Sequence, residues 1–324
     1  GEELYQKLKK RKLEQLLKSC VLALSGPFPE RVKEVEAIDT PSVLLFEDPT
    51  GANSSLSSFD LFASHFESRE ELEFFRNRGS EKGYVFAVPL CVSYHTFPPG
   101  SGNPPVERLE LVMDEFGRIR KETVSSGGNF WRACPWSKKT QQRVQRILEF
   151  LEKTFPDVIL EETSLGNVSW CYDTNPSSPN VLSNMEGLVS QLEVLTERFP
   201  VFLEGGWDRL VPFALHLIIP LEPYPTTAFL PEGSWKAFPL IQALCHSKVL
   251  LSEKPEVPFP GDKKSLVRSL AFGLTLSFQL ESSEPSAPFS AWCREIQNKL
   301  CSVIAGKELN QFLLKKEVGP SPFG

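Results

Sequence analysis

The sequence predicts an α+β protein with antiparallel or mixed sheets, packed helices and two domains. Helix-like and strand-like stretches alternate without a strict β-α-β order. "VERLELVMDEFGRIRKETV" alternates on both sides of a Gly turn, the pattern of a hairpin. After "VSSGGN" the hydrophobic period changes from two to 3.6, which places a boundary between residues 1–126, an N-terminal helix plus sheet domain, and 127–324, an α+β domain ending in helices.

Taken in order, Leu13, Leu16, Leu17, Cys20, Val21 and Leu24 recur at steps of three and four, which predicts a helix ending near "SGPFPE". "SVLLFED" reads as a short strand. "SREELEFFRNRG" has Ser68 and Glu71 at capping-box spacing and a closing Gly79, so it reads as a helix. "GYVFAVPLCVSYHTF" is aromatic and β-branched, and with the following hairpin it suggests an antiparallel sheet. Ser137 precedes "KKTQQRVQRILEFLEKTF", whose Val144, Ile147, Leu148 and Leu151 form one helical stripe. Strands "DVILEE" and "NVSWCYD", the helix "NMEGLVSQLEVLTERF", a strand in "VPFALHLIIPLEPY", the helix "GSWKAFPLIQALCH", a strand in "SLVRSLAFGLTLSFQLES" and two final helices complete the reading.

A chain of 324 residues, 41% hydrophobic, can bury a large core without staples. Its net charge of −6 excludes a generally polyanion-binding surface, so any nucleic-acid contact is local. Seven widely spaced Cys lack the dense, even framework of a secreted disulfide scaffold and read as reduced thiols of the nucleus or cytoplasm. No apolar run is long enough to span a bilayer, so no membrane partner is expected. Gly1 in place of Met and the loop-like ending "EVGPSPFG" leave open whether the chain is a piece of a longer protein.

Chemistry is mostly recognisable by what is missing. There is no P-loop, no paired-Cys or His-rich zinc pattern and no nucleophile elbow, so neither a cofactor nor a metal is expected. The basic run Lys9, Lys10, Arg11 and Lys12 suits an import signal, since its cations surround the helix axis instead of lining one face. Lys138, Lys139, Arg143 and Arg146 open the secure helix, where positive charge opposes the dipole, and suit contacts to an acidic partner. With Trp131, Trp136, Trp207 and Trp235 as possible anchors, the sequence reads as a noncatalytic adaptor or regulatory subunit of an intracellular complex whose partners are other proteins. The alternative is an enzyme whose site is assembled by the fold, a Cys-dependent or metal-dependent hydrolase with Cys134, Asp157, Glu161 and His95 as its candidates.

Overall fold

The computed structural model describes residues 2–24, 42–46, 56, 73–74, 77, 81–96, 106–123, 129–167, 171–205, 209–219, 245, 248–253 and 274–280. Eight of its strands are parallel and lie in one sheet: β1 (Cys20–Leu24), β2 (Ser42–Phe46), β3 (Val85–Leu90), β7 (Ile159–Glu162), β8 (Val201–Glu204), β9 (His216–Ile219), β10 (Leu250–Glu253) and β11 (Ser277–Leu280). Their spatial order is their chain order. β11 returns to pair with β1, and a parallel bridge from Ser252 to Thr275, with Thr275 N–H donating to Leu251 O, joins β10 to the chain entering β11. The sheet is therefore closed. Carried pair by pair around the ring, the register returns to β11 eight residues from its start, the shear of a TIM-type barrel.

This corrects the expected α+β class with antiparallel or mixed sheets and two domains. The strands before and after the expected boundary at 126 share one parallel sheet. The physical reason lies in burial. Barrel strands are covered on both faces and read as unbroken apolar runs, which carry no alternation to separate them from a helix. "CVLAL" of β1 is the clearest case: expected as the end of a helix, it is a strand buried at every residue. The helix before it is α1 (Glu2–Lys10), followed by a 3₁₀ turn over Glu14–Lys18.

Other expectations fared better. The secure helix is α2 (Lys138–Thr154), buried through Val144, Ile147, Leu148 and Leu151 as the stripe requires. Ser137 stands at its N-cap but makes no side-chain cap bond. The next helix is α3 (Asn184–Arg198). The "VERLELVMDEFGRIRKETV" hairpin turns at Gly117, whose φ of 72° suits glycine, with an antiparallel bridge between Met113 and Ile119. It belongs to a three-stranded antiparallel insert, β4 (Tyr94–Thr96), β6 (Asn129–Arg132) and β5 (Lys121–Thr123), placed between β3 and α2. The expected strand at "NVSWCYD" is not one in its described part, 171–173. The expected "GSWKAFPLIQALCH" helix, apart from Cys245, and the final helices lie outside the described residues.

The basic run is partly spent inside the fold, since Arg11 donates to the Thr196 carbonyl in the last turn of α3. Lys7, ahead of the run in α1, donates to Lys248 O at 3.2 Å in the turn before β10. Lys9, Lys10 and Lys12 remain exposed.

The turn Leu165–Asn167 after β7 packs on the end of β8 so closely that a Cβ at Gly166 would collide with the backbone of Glu204 and Gly205. Gly166→Ala is therefore expected to lower the melting temperature by several degrees, since backbone must move to admit one methyl group. Calorimetry on the full chain checks this; an unchanged midpoint would show that the turn is not held there.

Candidate active site

Parallel-barrel enzymes place their chemistry at the C-terminal ends of the strands, and catalytic side chains come from different strands. The question is which strand-end groups point into the lumen. Residues paired across parallel strands face the same side, so the register sorts the barrel into two faces. One face is rich in leucine: Leu22, Leu44, Leu160, Leu203, Leu217 and Leu251. The other carries Ala23, Ala87, Glu161, Glu204, His216 and Ser252.

Two observations identify the second face as the lumen. The Phe202 and His216 rings, paired across β8 and β9, have centroids 4.5 Å apart, closer than the ~4.8 Å between strands, as side chains on the concave side of a closed sheet must be. Exposure on this face also rises toward one end: Val43, Val21, Ala87, Phe202, His216 and Ser252 are buried, whereas Glu161, Thr163, Glu204 and Ser277, nearer the C-terminal mouth, are half-buried. With the tilt of an eight-residue shear, Ser277, Leu45, Glu161 and Ile218 form one inward layer, and Glu204 stands in the layer above. Glu161 and Glu204 thus rise from neighbouring strands into the open end of the lumen.

Glu162, one residue on, has a different task. It faces away from the lumen, is fully buried, and accepts from Val92 N–H at 3.1 Å, Ser164 N–H at 3.1 Å, the Ser164 hydroxyl and Leu165 N–H. Those donors tie the start of the insert to the loop after β7, and they leave no lone pair for a substrate. Burial pushes its carboxyl up to about 7, against the downward pull of its donors.

The other sequence candidates are structural in their surroundings. Cys134 is buried, lies 3.6 Å from the Ser178 hydroxyl, and is pushed up to about 12 by burial and by Asp173, so it is a protonated packing group and not an activated thiol. Asp157 is exposed at the opposite end of β7 from the mouth. Neither Cys134 nor Asp157 bonds any of the other three candidates. His95 is buried in β4 and pushed down to about 4 by burial and by Arg143, with Glu110 pulling the other way, so it is neutral at pH 7. Among the described residues no group of three His, Cys, Asp or Glu side chains could hold a metal.

Two of the four cations proposed for an acidic partner are engaged within the chain. Lys139 pairs with Glu107, and Arg143 pairs at 2.6 Å with Glu110, which is 2% exposed. Burial raises the Glu110 pKa, but the Arg143 hydrogen bond and charge, the Glu107 N–H and His95 together hold the carboxyl below its usual range. Lys138 and Arg146 are exposed. Trp131 packs with Leu111, and Trp136 donates to Ser183 O at 2.9 Å, so neither is a free anchor; Trp207 and Trp235 lie outside the described residues.

No family model and no curated protein matches this chain. Solved structures do. The alpha-N-acetylgalactosaminidase NagBb from Bifidobacterium bifidum superposes with a TM-score of 0.70 at 11% identity, covering 93% of this chain and 54% of that one. The GH36 alpha-galactosidase AgaB from Geobacillus stearothermophilus gives a TM-score of 0.55 at 10% identity, over 89% of this chain and 42% of that one. The alpha-galactosidase TtGalA from Thermus thermophilus gives 0.53 at 12%, over 88% and 65%. The chain thus spans about half the length of NagBb. At these identities what is shared is the fold, a parallel eight-stranded barrel that these three enzymes also have. That finding overturns the expected noncatalytic adaptor or complex subunit, which rested on missing motifs; a barrel assembles its site from separate strand ends and needs no contiguous motif.

Two variants test the electrostatic reading. Because the Glu162 pKa is raised on folding, its contribution to stability is full below the unfolded value and is lost as pH rises through about 7. Glu162→Gln abolishes that titration but turns an amide N–H₂ toward N–H donors, costing about 2 kcal/mol at pH 5. The deficit against wild type is expected to narrow between pH 5 and pH 8 in thermal melts; equal deficits at both would refute it. Arg143→Met leaves Glu110 buried without its cation and is expected to cost about 3 kcal/mol in urea unfolding, most of it recovered by adding Glu110→Gln.

Proposed function

We propose that this chain forms the barrel of a glycoside hydrolase acting on α-linked galactose-type residues, with Glu161 and Glu204 as its two carboxylates. The observation that carries the reading is their placement: half-buried, inward-facing glutamates on neighbouring strands at the C-terminal mouth of a closed parallel barrel. The fold shared with NagBb, AgaB and TtGalA supports it, and the activities of those three enzymes supply the sugar class.

Glycosidic cleavage needs one carboxyl group to protonate the leaving oxygen and another to attack the anomeric carbon or activate water. Strand spacing and a two-residue offset put the Cα atoms of Glu161 and Glu204 about 8 Å apart. Their long side chains can then bring the carboxyl groups anywhere from about 5 to 9 Å, which spans the separations of retaining and inverting hydrolases. Glu161 shares its layer with Leu45 and Ile218, the apolar flank that suits a general acid. Glu204 stands higher, where water and substrate arrive, and takes the part of nucleophile or base. The half-buried Thr163 and Ser277 add hydroxyls at the same mouth.

Purified protein assayed with p-nitrophenyl α-galactoside and the corresponding α-N-acetylgalactosaminide tests the proposal. Hydrolysis is expected, with kcat falling at least 10³-fold in Glu161→Gln and in Glu204→Gln while the melting temperature stays near wild type. Absence of turnover on either glycoside, or variants as active as wild type, would overturn it.

A further inference from the structure

Below the carboxylates the lumen changes character. In a TIM-type barrel the inner layers are dominated by bulky branched side chains that fill the core. Here the lower layers contain Ala87, Ser252 and Thr275 beside Val21, Val43, Ile159, Phe202 and His216, so small and polar residues stand where volume is needed. Three of them come from consecutive strand positions of the ring. His216 opens β9, Ser252 lies on β10, and Thr275 is bridged to Ser252 on the way into β11.

All three face the lumen and are buried, at 1%, 0% and 2% exposure. Among the described residues, His216 Nε2, Ser252 Oγ and Thr275 Oγ1 have no hydrogen-bond partner in the protein. By contrast Ser277, one layer higher than Ser252, donates to Glu253 O at 2.7 Å. A single buried hydroxyl without a partner is a small defect, but three on one wall of a closed lumen add up to a severe cost unless something pairs with them. The group that does so must be small and able both to donate and to accept. It must also be uncharged, since burial pushes His216 down to about 3 and neither hydroxyl carries charge.

We infer that His216, Ser252 and Thr275 form an internal water site in the lower lumen, in which a water bridges the three side chains and fills the space their small neighbours leave. Buried waters typically make about three hydrogen bonds, the number offered here. This site stands apart from the hydrolase reading, since it needs neither substrate nor turnover.

Thr275→Val and Ser252→Ala on the full chain decide it by sign. If a water pairs with these hydroxyls, each substitution removes one of its partners, and the melting temperature is expected to fall by about 2–6 °C, with the double variant losing less than the sum. If the hydroxyls are unpaired, deleting them is neutral or raises the midpoint, which overturns the inference. A second readout uses wild type alongside the double variant: oxygen-17 relaxation dispersion counts long-lived internal waters. One fewer in the variant is expected, and an unchanged dispersion amplitude would equally sink the site.

Discussion

Closure of the parallel sheet is the constraint on which everything else depends. Once β11 pairs with β1 and the Ser252–Thr275 bridge joins β10 to the approach of β11, the ring runs all the way round and its strands are covered on two faces. The outer face can then be leucine-rich, because α2 and α3 bring their own apolar stripes, Val144 to Leu151 and Leu188 to Leu195, into the same core. The inner face has only the lumen to fill, and its volume there is fixed by strand number and shear. Polar side chains on that face are consequently confined to two places: the open mouth, where water reaches them, and the lower wall, where a partner must be enclosed with them.

The insert between β3 and α2 shows how the mouth is framed. Glu162 joins its first residues to the loop after β7, Glu110 joins its 3₁₀ turn to α2 through Arg143, and Asp173 binds the 171–183 loop by accepting from Met113 and Asn175 N–H and from the Ser178 hydroxyl. Asn175 adds bonds to Leu109 O and Leu111 O. Each of these buried acids has its oxygens saturated by backbone or by a cation, which is how a carboxylate is made structural. Facing and burial separate Glu162 from Glu161 and Glu204, although the three are indistinguishable by residue type: Glu162 is fully buried on the outer face, whereas Glu161 and Glu204 are half-buried on the inner one. Cys134 belongs with the structural groups as well: its thiol is held protonated by burial and by the neighbouring Asp173 carboxylate.

Local patterns in the sequence were therefore reliable where one face of an element is wet. α2, α3 and the Met113–Ile119 hairpin could be read because burial alternates along them. Of the barrel strands, β2, β3, β7, β9 and β11 fall within stretches that read as strands, but nothing in them told parallel from antiparallel; β1, β8 and β10 could not be read, because two-sided burial erases the alternation, "CVLAL" continues a helical spacing that begins at Leu13, and β8 and β10 are only four residues long. The visible hairpin then biased the class toward antiparallel sheets, although it belongs to an insertion. The candidate site was half legible. Glu161 was among the candidates, but for its spacing to Asp157, which lies at the wrong end of the strand; Glu204 carried no signal, because its relation to Glu161 exists only through the Leu160–Val201 register.

That register also explains why the upper and lower lumen belong to one design. A one-residue slip between β7 and β8 would turn Phe202 and Glu204 outward and Leu203 inward, removing a carboxylate from the mouth and the ring that packs on His216 in one step. The ring contact in the lower lumen thus favours the strand alignment that sets the distance between the glutamates above it. His216 can do this only as a neutral ring with Nε2 paired, since the residues in register with it on β8 and β10, Phe202 and Leu250, are apolar and offer a cation no counter-charge. Burial that keeps the imidazole uncharged and a small neutral partner for Nε2 are therefore two requirements of the same packing. The polar lower wall is part of what aims the mouth.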